Sequence, residues 1–149
     1  MGDAPIVMGA HERPMPLDMG GEEITVLASA AQTNGYEVFL QVGTEGSGPP
    51  PHHHPWDEAF YVVRGEVVFG ADGQESTLGA GSFVHIPGGT THWFRLSAGG
   101  AEMLSFTSQE GAAGFFTAIS RSELPPGAGL ADIIRIAATH GATVLPPSS

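Results

Sequence analysis

Two stretches of the sequence are the most informative about the fold. The first is Gly46-Ser-Gly-Pro-Pro-Pro-His52-His53-His54-Pro-Trp-Asp-Glu58. The second is Gly81-Ser-Phe-Val-His-Ile-Pro87-Gly-Gly89-Thr-Thr-His92. Together they supply three imidazoles and one carboxylate, His52, His54, Glu58 and His92, that can close around one metal ion. Such a nitrogen and oxygen shell suits Fe, Mn, Co, Ni, Cu or Zn, whereas Mg²⁺ and Ca²⁺ prefer oxygen ligands.

The spacing of these residues is compatible with a shared cavity. Residues two apart on a strand point to the same face, so His52 and His54 can face inward while His53 faces away. Glu58 has the same parity, and His92 follows it by 34 residues, enough to arrive on a separate strand. A proline-flanked histidine run also occurs in loops that bind metal only adventitiously, so the run alone leaves both interpretations open.

Composition restricts the class of protein. A chain of 149 residues fits one domain with one substantial core. Its formal net charge of −11, without a basic cluster, disfavours nucleic acid as a partner. No apolar run approaches the roughly 20 residues of a membrane span, and a secretory signal pattern is absent, so we expect no membrane association and a cytoplasmic location. The chain has no cysteine, so a bound metal must rely on nitrogen and oxygen ligands.

Three segments follow one another along the chain. Residues 1–22 predict an irregular N-terminal arm, residues 23–108 a β-barrel, and residues 109–149 a C-terminal helical segment. Within the barrel, runs of β-branched and aromatic residues predict strands at 24–28, 36–42, 59–63, 66–69, 82–86, 92–96 and 101–106. Dipeptides that contain glycine lie between these runs and predict hairpin turns; examples are Arg64-Gly65, Asp72-Gly73 and Gly99-Gly100. Helical spacing of apolar residues predicts two short helices, at 111–120 and 130–138.

The two quoted stretches resemble the motifs of the cupin superfamily. The first motif, G-x5-H-x-H-x3/4-E-x6-G, is met by Gly46, His52, His54, Glu58 and Gly65. The second, G-x5-P-x-G-x2-H-x3-N, is met except at its last position, which is Leu96; its matching residues are Gly81, Pro87, Gly89 and His92. That asparagine is not one of the family's metal ligands.

This resemblance implies a fold, a ligand set and a partner. The fold is a cupin-type double-stranded β-helix, a jelly-roll barrel, here followed by the two C-terminal helices. The ligands of one divalent transition metal are His52, His54, Glu58 and His92, and His53 is left out. Small cupins also commonly form homodimers, so we expect a homodimer.

Several residues near the motifs are candidates for a substrate pocket. Phe60, Val62 and Phe94 share the parity of the ligands, and His85 precedes Pro87 on the strand that leads to His92. Each of the four could instead be ordinary barrel core or an exposed strand residue. The two tryptophans, Trp56 and Trp93, adjoin the ligands, and their position favours packing at the rim or an interface over substrate stacking.

Function is therefore expected to be metal-dependent and directed at a small molecule. The tail after the barrel resembles small single-domain cupins of the quercetin-dioxygenase-like type, which implies a dioxygenase for an enol, phenolic or flavonol-like substrate. Glu58 would then be both metal ligand and catalytic base, with dioxygen as second substrate. The alternatives are a non-redox isomerase, cyclase or lyase using the same site, and a non-catalytic, metal-dependent protein that binds a small metabolite.

Overall fold

A curled antiparallel sheet of nine strands organises the structure, a computed structural model that describes residues 4–145. The two ends of the predicted arm and C-terminal segment, 1–3 and 146–149, lie outside the described residues. In chain order the elements are β1 (Leu17–Asp18), β2 (Glu22–Ala28), α1 (Ala30–Thr33), β3 (Tyr36–Gly43), β4 (His52–His53), β5 (Glu58–Ala71), β6 (Gln74–Gly79), β7 (Phe83–Ile86), β8 (His92–Ser108), α2 (Ala112–Ile119), α3 (Leu130–Thr139) and β9 (Thr143–Val144).

Strand β8 is the centre of the sheet. One path of paired strands runs β1-β2-β3-β8-β4-β9, and β5 pairs with β8 as well as with β6 and β7. All of these pairs are antiparallel. The all-β architecture predicted from the sequence is confirmed.

Two of the predicted hairpin turns are wrong. Gly65 lies inside β5, and Gly99 and Gly100 lie inside β8, where the two strands pair with shifts of register. All three have positive φ, of 80°, 85° and 75°. A Cβ on Gly65 would stand 2.2 Å from the carbonyl oxygen of Gly100, so a side chain has no room. These glycines therefore bend two long strands rather than ending them. The turn at Asp72-Gly73 is confirmed, between β5 and β6.

The two helices predicted after the barrel are confirmed as α2 and α3. The sequence did not indicate α1, β1, β4 or β9, each only two to four residues long. Because β9 pairs with β4, the C-terminal segment is not purely helical and returns to the strand that carries His52. None of the described helices is long and apolar enough to cross a membrane.

The buried apolar side chains form two clusters. One fills the barrel and includes Phe60, Val62 and Phe94, whereas the other joins the barrel to the C-terminal helices through residues such as Phe39 and Phe115.

A buried glutamate on β3 also fixes the C-terminal helices to the barrel. Glu37 accepts hydrogen bonds from the backbone N–H of Ala30, at the start of α1, and of Ala113, at the start of α2, both at 3.0 Å. A carboxylate is favourable at the amino end of a helix, so Glu37 holds α2 in place beside the barrel mouth.

Candidate metal centre and cavity

The four predicted ligands come from three strands and one connecting segment. His52 lies on β4 and pairs directly with His92, the first residue of β8. Glu58 is the first residue of β5, and His54 lies between β4 and β5. All four side chains are buried. The structure thus brings together the residues that the two motifs supply.

Backbone contacts join the two motifs. The N–H of Gly89 donates to the carbonyl of His54 at 2.8 Å, and the N–H of Gly88 donates to the carboxylate of Asp57 at 2.8 Å. A Cβ on Gly88 would stand 2.3 Å from the carbonyl oxygen of Pro55. Glycine is therefore needed where the loop of the second motif packs against the segment that follows the histidine run.

Each of the three histidines is held by a backbone carbonyl two residues away. The accepting carbonyls belong to Pro50 for His52 at 2.9 Å, Trp56 for His54 at 3.0 Å and Thr90 for His92 at 2.8 Å. Since a carbonyl only accepts, each Nδ1 carries the proton and each Nε2 keeps a free lone pair. This is the arrangement in which metal-binding histidines are usually oriented.

The free nitrogen atoms converge. One ligand atom from each of His52, His54 and His92 lies within 4.8 Å of the other two. Glu58 stands between them, with Oε2 at 3.7 Å from Nε2 of His54 and Oε1 at 3.6 Å from Nε2 of His92. Atoms bound at about 2.1 Å to one ion lie roughly 3.0–4.2 Å apart. The two distances from Glu58 to the histidine nitrogen atoms fall in this range. The Nε2 atoms of His54 and His92 are buried without a hydrogen-bond partner in the described part of the chain.

The electrostatics favour the protonation states that bind a cation. Burial lowers the pKa of His52 to about 4, and it also lowers the pKa of His54. Burial alone would raise the pKa of Glu58, but its contact with His92 and the attraction of His54 hold that pKa below its usual value. Neutral imidazoles beside an ionised carboxylate are what a metal requires of its ligands.

Trp56 packs against one of the predicted histidine ligands and does not lie at a rim. Its indole is 3% exposed and stacks on the ring of His54, with centroids 4.5 Å apart and an interplanar angle of 8°. A Cβ on Gly111 would stand 2.7 Å from the same indole, so the chain before α2 packs closely behind it. Trp93, in contrast, lies under the guanidinium of Arg95, 5.0 Å from the ring centroid.

A cavity of about 310 Å³ opens beside the centre. His52 and Glu58 contribute to its wall, and its apolar lining comes from the barrel and from both C-terminal helices. Among the apolar lining residues are Met19, Ile24, Phe94, Phe115, Phe116 and Ile133. The helices that follow the barrel therefore help to shape the space in front of the predicted ligands.

The predicted pocket residues are distributed between the cavity, the core and the outer surface. Phe94 lines the cavity. Phe60 and Val62 are instead packed in the barrel core, with the ring of Phe60 6.0 Å from that of Phe94. The prediction that His85 lines the pocket is wrong. His85 is exposed, and it pairs with Ala59 on the outer face of β5 and β7. Its strand carries it away from the cavity.

Sequence reasoning missed a second carboxyl group in the cavity wall. Glu22, the first residue of β2, lines the cavity and is 7% exposed. Its Oε2 has no hydrogen-bond partner among the described residues. Burial, and then the nearby charge of Glu58, raise the pKa of Glu22 to about 8. The signal that could have found it is its parity with Ile24, hidden because the predicted arm ended at residue 22.

Comparison with known proteins agrees with this architecture. Residues 38–107 match the family model described as the cupin domain. A quercetin 2,3-dioxygenase of Bacillus subtilis is 31% identical over 99 residues, which cover 65% of this chain and 29% of that protein. An acireductone dioxygenase of Microcystis aeruginosa is 40% identical over 52 residues, covering 32% of this chain and 28% of that protein. The matched segments thus span less than a third of these curated relatives.

Solved structures show the same fold. An RmlC-like cupin from Shewanella frigidimarina superimposes with a TM-score of 0.64 at 20% identity, covering 72% of this chain and 94% of that one. The polyketide cyclase RemF from Streptomyces resistomycificus gives a TM-score of 0.61 at 16% identity, covering 70% and 80%. The cupin fold predicted from the motifs is confirmed. Residues 38–107 of the protein are therefore a cupin domain.

The buried acid leads to a prediction about pH. Glu22→Gln should increase the free energy of unfolding of chelator-treated protein, relative to wild type, and this gain should be about 3 kcal/mol larger at pH 8 than at pH 5. The pKa is about 8 in the folded protein and about 4.5 in the unfolded chain, so wild-type protein loses stability as pH rises between these values. Glutamine does not titrate and escapes this loss.

Urea denaturation at the two pH values measures the difference. The matched control is Glu23→Gln, since Glu23 is the exposed neighbour of Glu22 on β2. An equal effect of the Glu22 substitution at both pH values would contradict the prediction.

Proposed function

We propose that this protein is a metal-dependent enzyme that oxidises a small enol, phenolic or flavonol-like molecule with dioxygen. The observation that carries the proposal is the convergence of three histidine nitrogen atoms beside Glu58, at the wall of an apolar cavity. The sequence similarity to quercetin and acireductone dioxygenases supports the oxygen chemistry, although each match covers only part of those enzymes.

One divalent transition metal, from among Fe, Mn, Ni, Co, Cu and Zn, is the proposed cofactor. His52, His54, Glu58 and His92 would hold it, and the unpartnered Nε2 atoms of His54 and His92 support this ligand set. When bound, the ion would supply a Lewis acid that stabilises negative charge on a substrate oxygen.

Glu58 has the second proposed role, that of a base. It lies on the cavity wall, and its lowered pKa keeps it ionised at neutral pH. A carboxylate in this place can accept the proton of an acidic enol or phenol hydroxyl. The hydrogen bond from Nδ1 of His52 to the carbonyl of Pro50 fixes the orientation of that imidazole. The aromatic side chains of α2 would exclude water from the substrate.

The cavity also bears on the size of the substrate. A volume of about 310 Å³ lies at the lower end of the roughly 300–1,000 Å³ common for small-molecule sites. The apolar lining favours a compact, largely apolar molecule with few polar groups, which is the character of the proposed substrates.

A second candidate is a non-redox reaction, an isomerisation, cyclisation or elimination. The placement of Glu58 favours it, because proton transfer at the cavity wall needs no dioxygen. A metal-dependent protein that binds a small metabolite without turnover is the remaining alternative, and substrate consumption separates it from both enzymes.

Metal content tests the ligand set. His54→Ala and His92→Ala should lose stoichiometric metal, because each removes one of the converging nitrogen atoms. His53→Ala and His85→Ala are matched controls that should retain it, since neither belongs to the converging cluster. Elemental analysis of purified, folded variants gives the result. Wild-type metal content in both ligand variants would reject the assignment.

Turnover tests the reaction class. Protein loaded separately with each candidate metal should take up oxygen with at least one flavonol, catechol or β-diketone. Glu58→Gln should lower that rate by about 100-fold or more, because the amide can neither accept the proton nor keep the ligand charge. An oxygen electrode and chromatography of the substrate give both readouts. Substrate loss without oxygen uptake would favour the non-redox candidate over the dioxygenase.

The homodimer and the cytoplasmic location stay predictions. The outer face of β5 and β7 supports the homodimer, because Tyr61 and Phe83 pair across the strands and are 45% and 64% exposed. On a chain with a net charge of −11, this face carries Tyr61, Phe83 and His85 rather than carboxylates, so a second copy meets little repulsion there. Light scattering of the purified protein should give twice the chain mass, and the mass of one chain would contradict this.

A further inference from the structure

The proposed chemistry gives a role to Glu58 but none to Glu22, whose carboxyl group also lines the cavity. It comes from β2, whereas the predicted ligands come from β4, β5, β8 and the segment between β4 and β5. Glu22 and Glu58 both line the cavity, so a ligand beside Glu58 shares that space with Glu22.

The environment of Glu22 does not satisfy its side chain. Oε2 is buried without a hydrogen-bond partner, and Glu22 belongs to none of the ion pairs among residues 4–145. A buried polar atom without a partner is destabilising, and a ligand in the cavity that offers a hydrogen bond to Glu22 would remove that cost. Met19 and Ile24 in the same wall are apolar. The polar wall residues beside β2 are engaged elsewhere, because Gln41 donates to Ser105 and Ser47 donates to the carbonyl of Gly21.

We propose that Glu22 is a substrate-binding residue whose carboxylic acid forms a hydrogen bond with an oxygen atom of the substrate. This inference rests on the proposed function and narrows its substrate class. The cavity would take an apolar molecule with two oxygen functions, an acidic hydroxyl that reaches Glu58 and a carbonyl or hydroxyl that reaches Glu22.

The protonation state of Glu22 agrees with this assignment. With a pKa raised to about 8 by burial, the group is mostly neutral at pH 7 and can donate as well as accept. A neutral acid can face a substrate oxygen that carries negative charge, whereas a second carboxylate beside Glu58 would repel it. The two glutamates thus have complementary tasks, with Glu58 taking a proton and Glu22 offering a hydrogen bond.

Calorimetric titration of the metal-loaded protein with quercetin, catechol and acetylacetone tests the inference. Glu22→Leu should weaken the tightest-binding probe by roughly tenfold or more, as expected for loss of a buried hydrogen bond. Glu22→Gln should stay within about threefold of wild type, since its amide also donates and accepts. Glu23→Leu is the matched control on the exposed face of β2 and should bind as wild type does.

Every result bears on the inference. Unchanged binding by Glu22→Leu, or binding of none of the three probes by wild-type protein, would overturn it. Loss of metal from Glu22→Leu would also overturn it, by making the residue a ligand. A probe that binds through Glu22 but is never consumed would leave the inference standing and reject the proposed oxidation. Oxygen uptake by wild-type protein, together with unchanged binding by Glu22→Leu, would support the proposed oxidation and reject the role of Glu22.

Discussion

The pairing of β5 with β8, and the way this ladder curls, is the constraint on which the site depends. Glu58 pairs with Thr107 at one end of the ladder, and His92 pairs with Ala71 at the other. The 14 residues of β5 would separate these ends by roughly 40 Å in a straight strand, yet Glu58 and His92 approach to 3.6 Å. Where β5 and β8 bend, their backbones approach so closely that residues with positive φ and no side chain are needed. Gly65 and Gly100 are these residues. The convergence of the four predicted ligands is therefore a product of barrel closure.

The fold itself orients the three predicted histidine ligands. Backbone carbonyls hold the three Nδ1 atoms, so the imidazoles need no rearrangement to present Nε2. Trp56 stacks on His54 and packs against Gly111, which connects one ligand to the chain that leads into α2. Because α2 also lines the cavity and is held by Glu37, the C-terminal segment links the position of a ligand to the shape of the cavity.

Two glutamates in one cavity wall have opposite environments. Glu58 lies beside histidines that lower its pKa, whereas Glu22 is buried among apolar residues that raise its pKa to about 8. Identical side chains can thus act as a base and as a neutral hydrogen-bond partner, because the surroundings separate their protonation. This difference supports the proposal of a substrate with two oxygen functions.

Strand parity and the alternation of short apolar runs with turn residues predicted the ligand candidates and the all-β class, whereas the cupin fold followed from the resemblance of the two motifs to that family. The apolar period also predicted α2 and α3. The other features depend on tertiary contacts. Gly65 and Gly99 looked like turns because positive φ is common to turns and bulges, and only pairing across β5 and β8 separates the two. His85 was included for its nearness to Pro87, but cross-strand register places it outside. Glu22 was missed because the predicted arm ended at residue 22, and its burial in the cavity wall depends on segments distant in the chain.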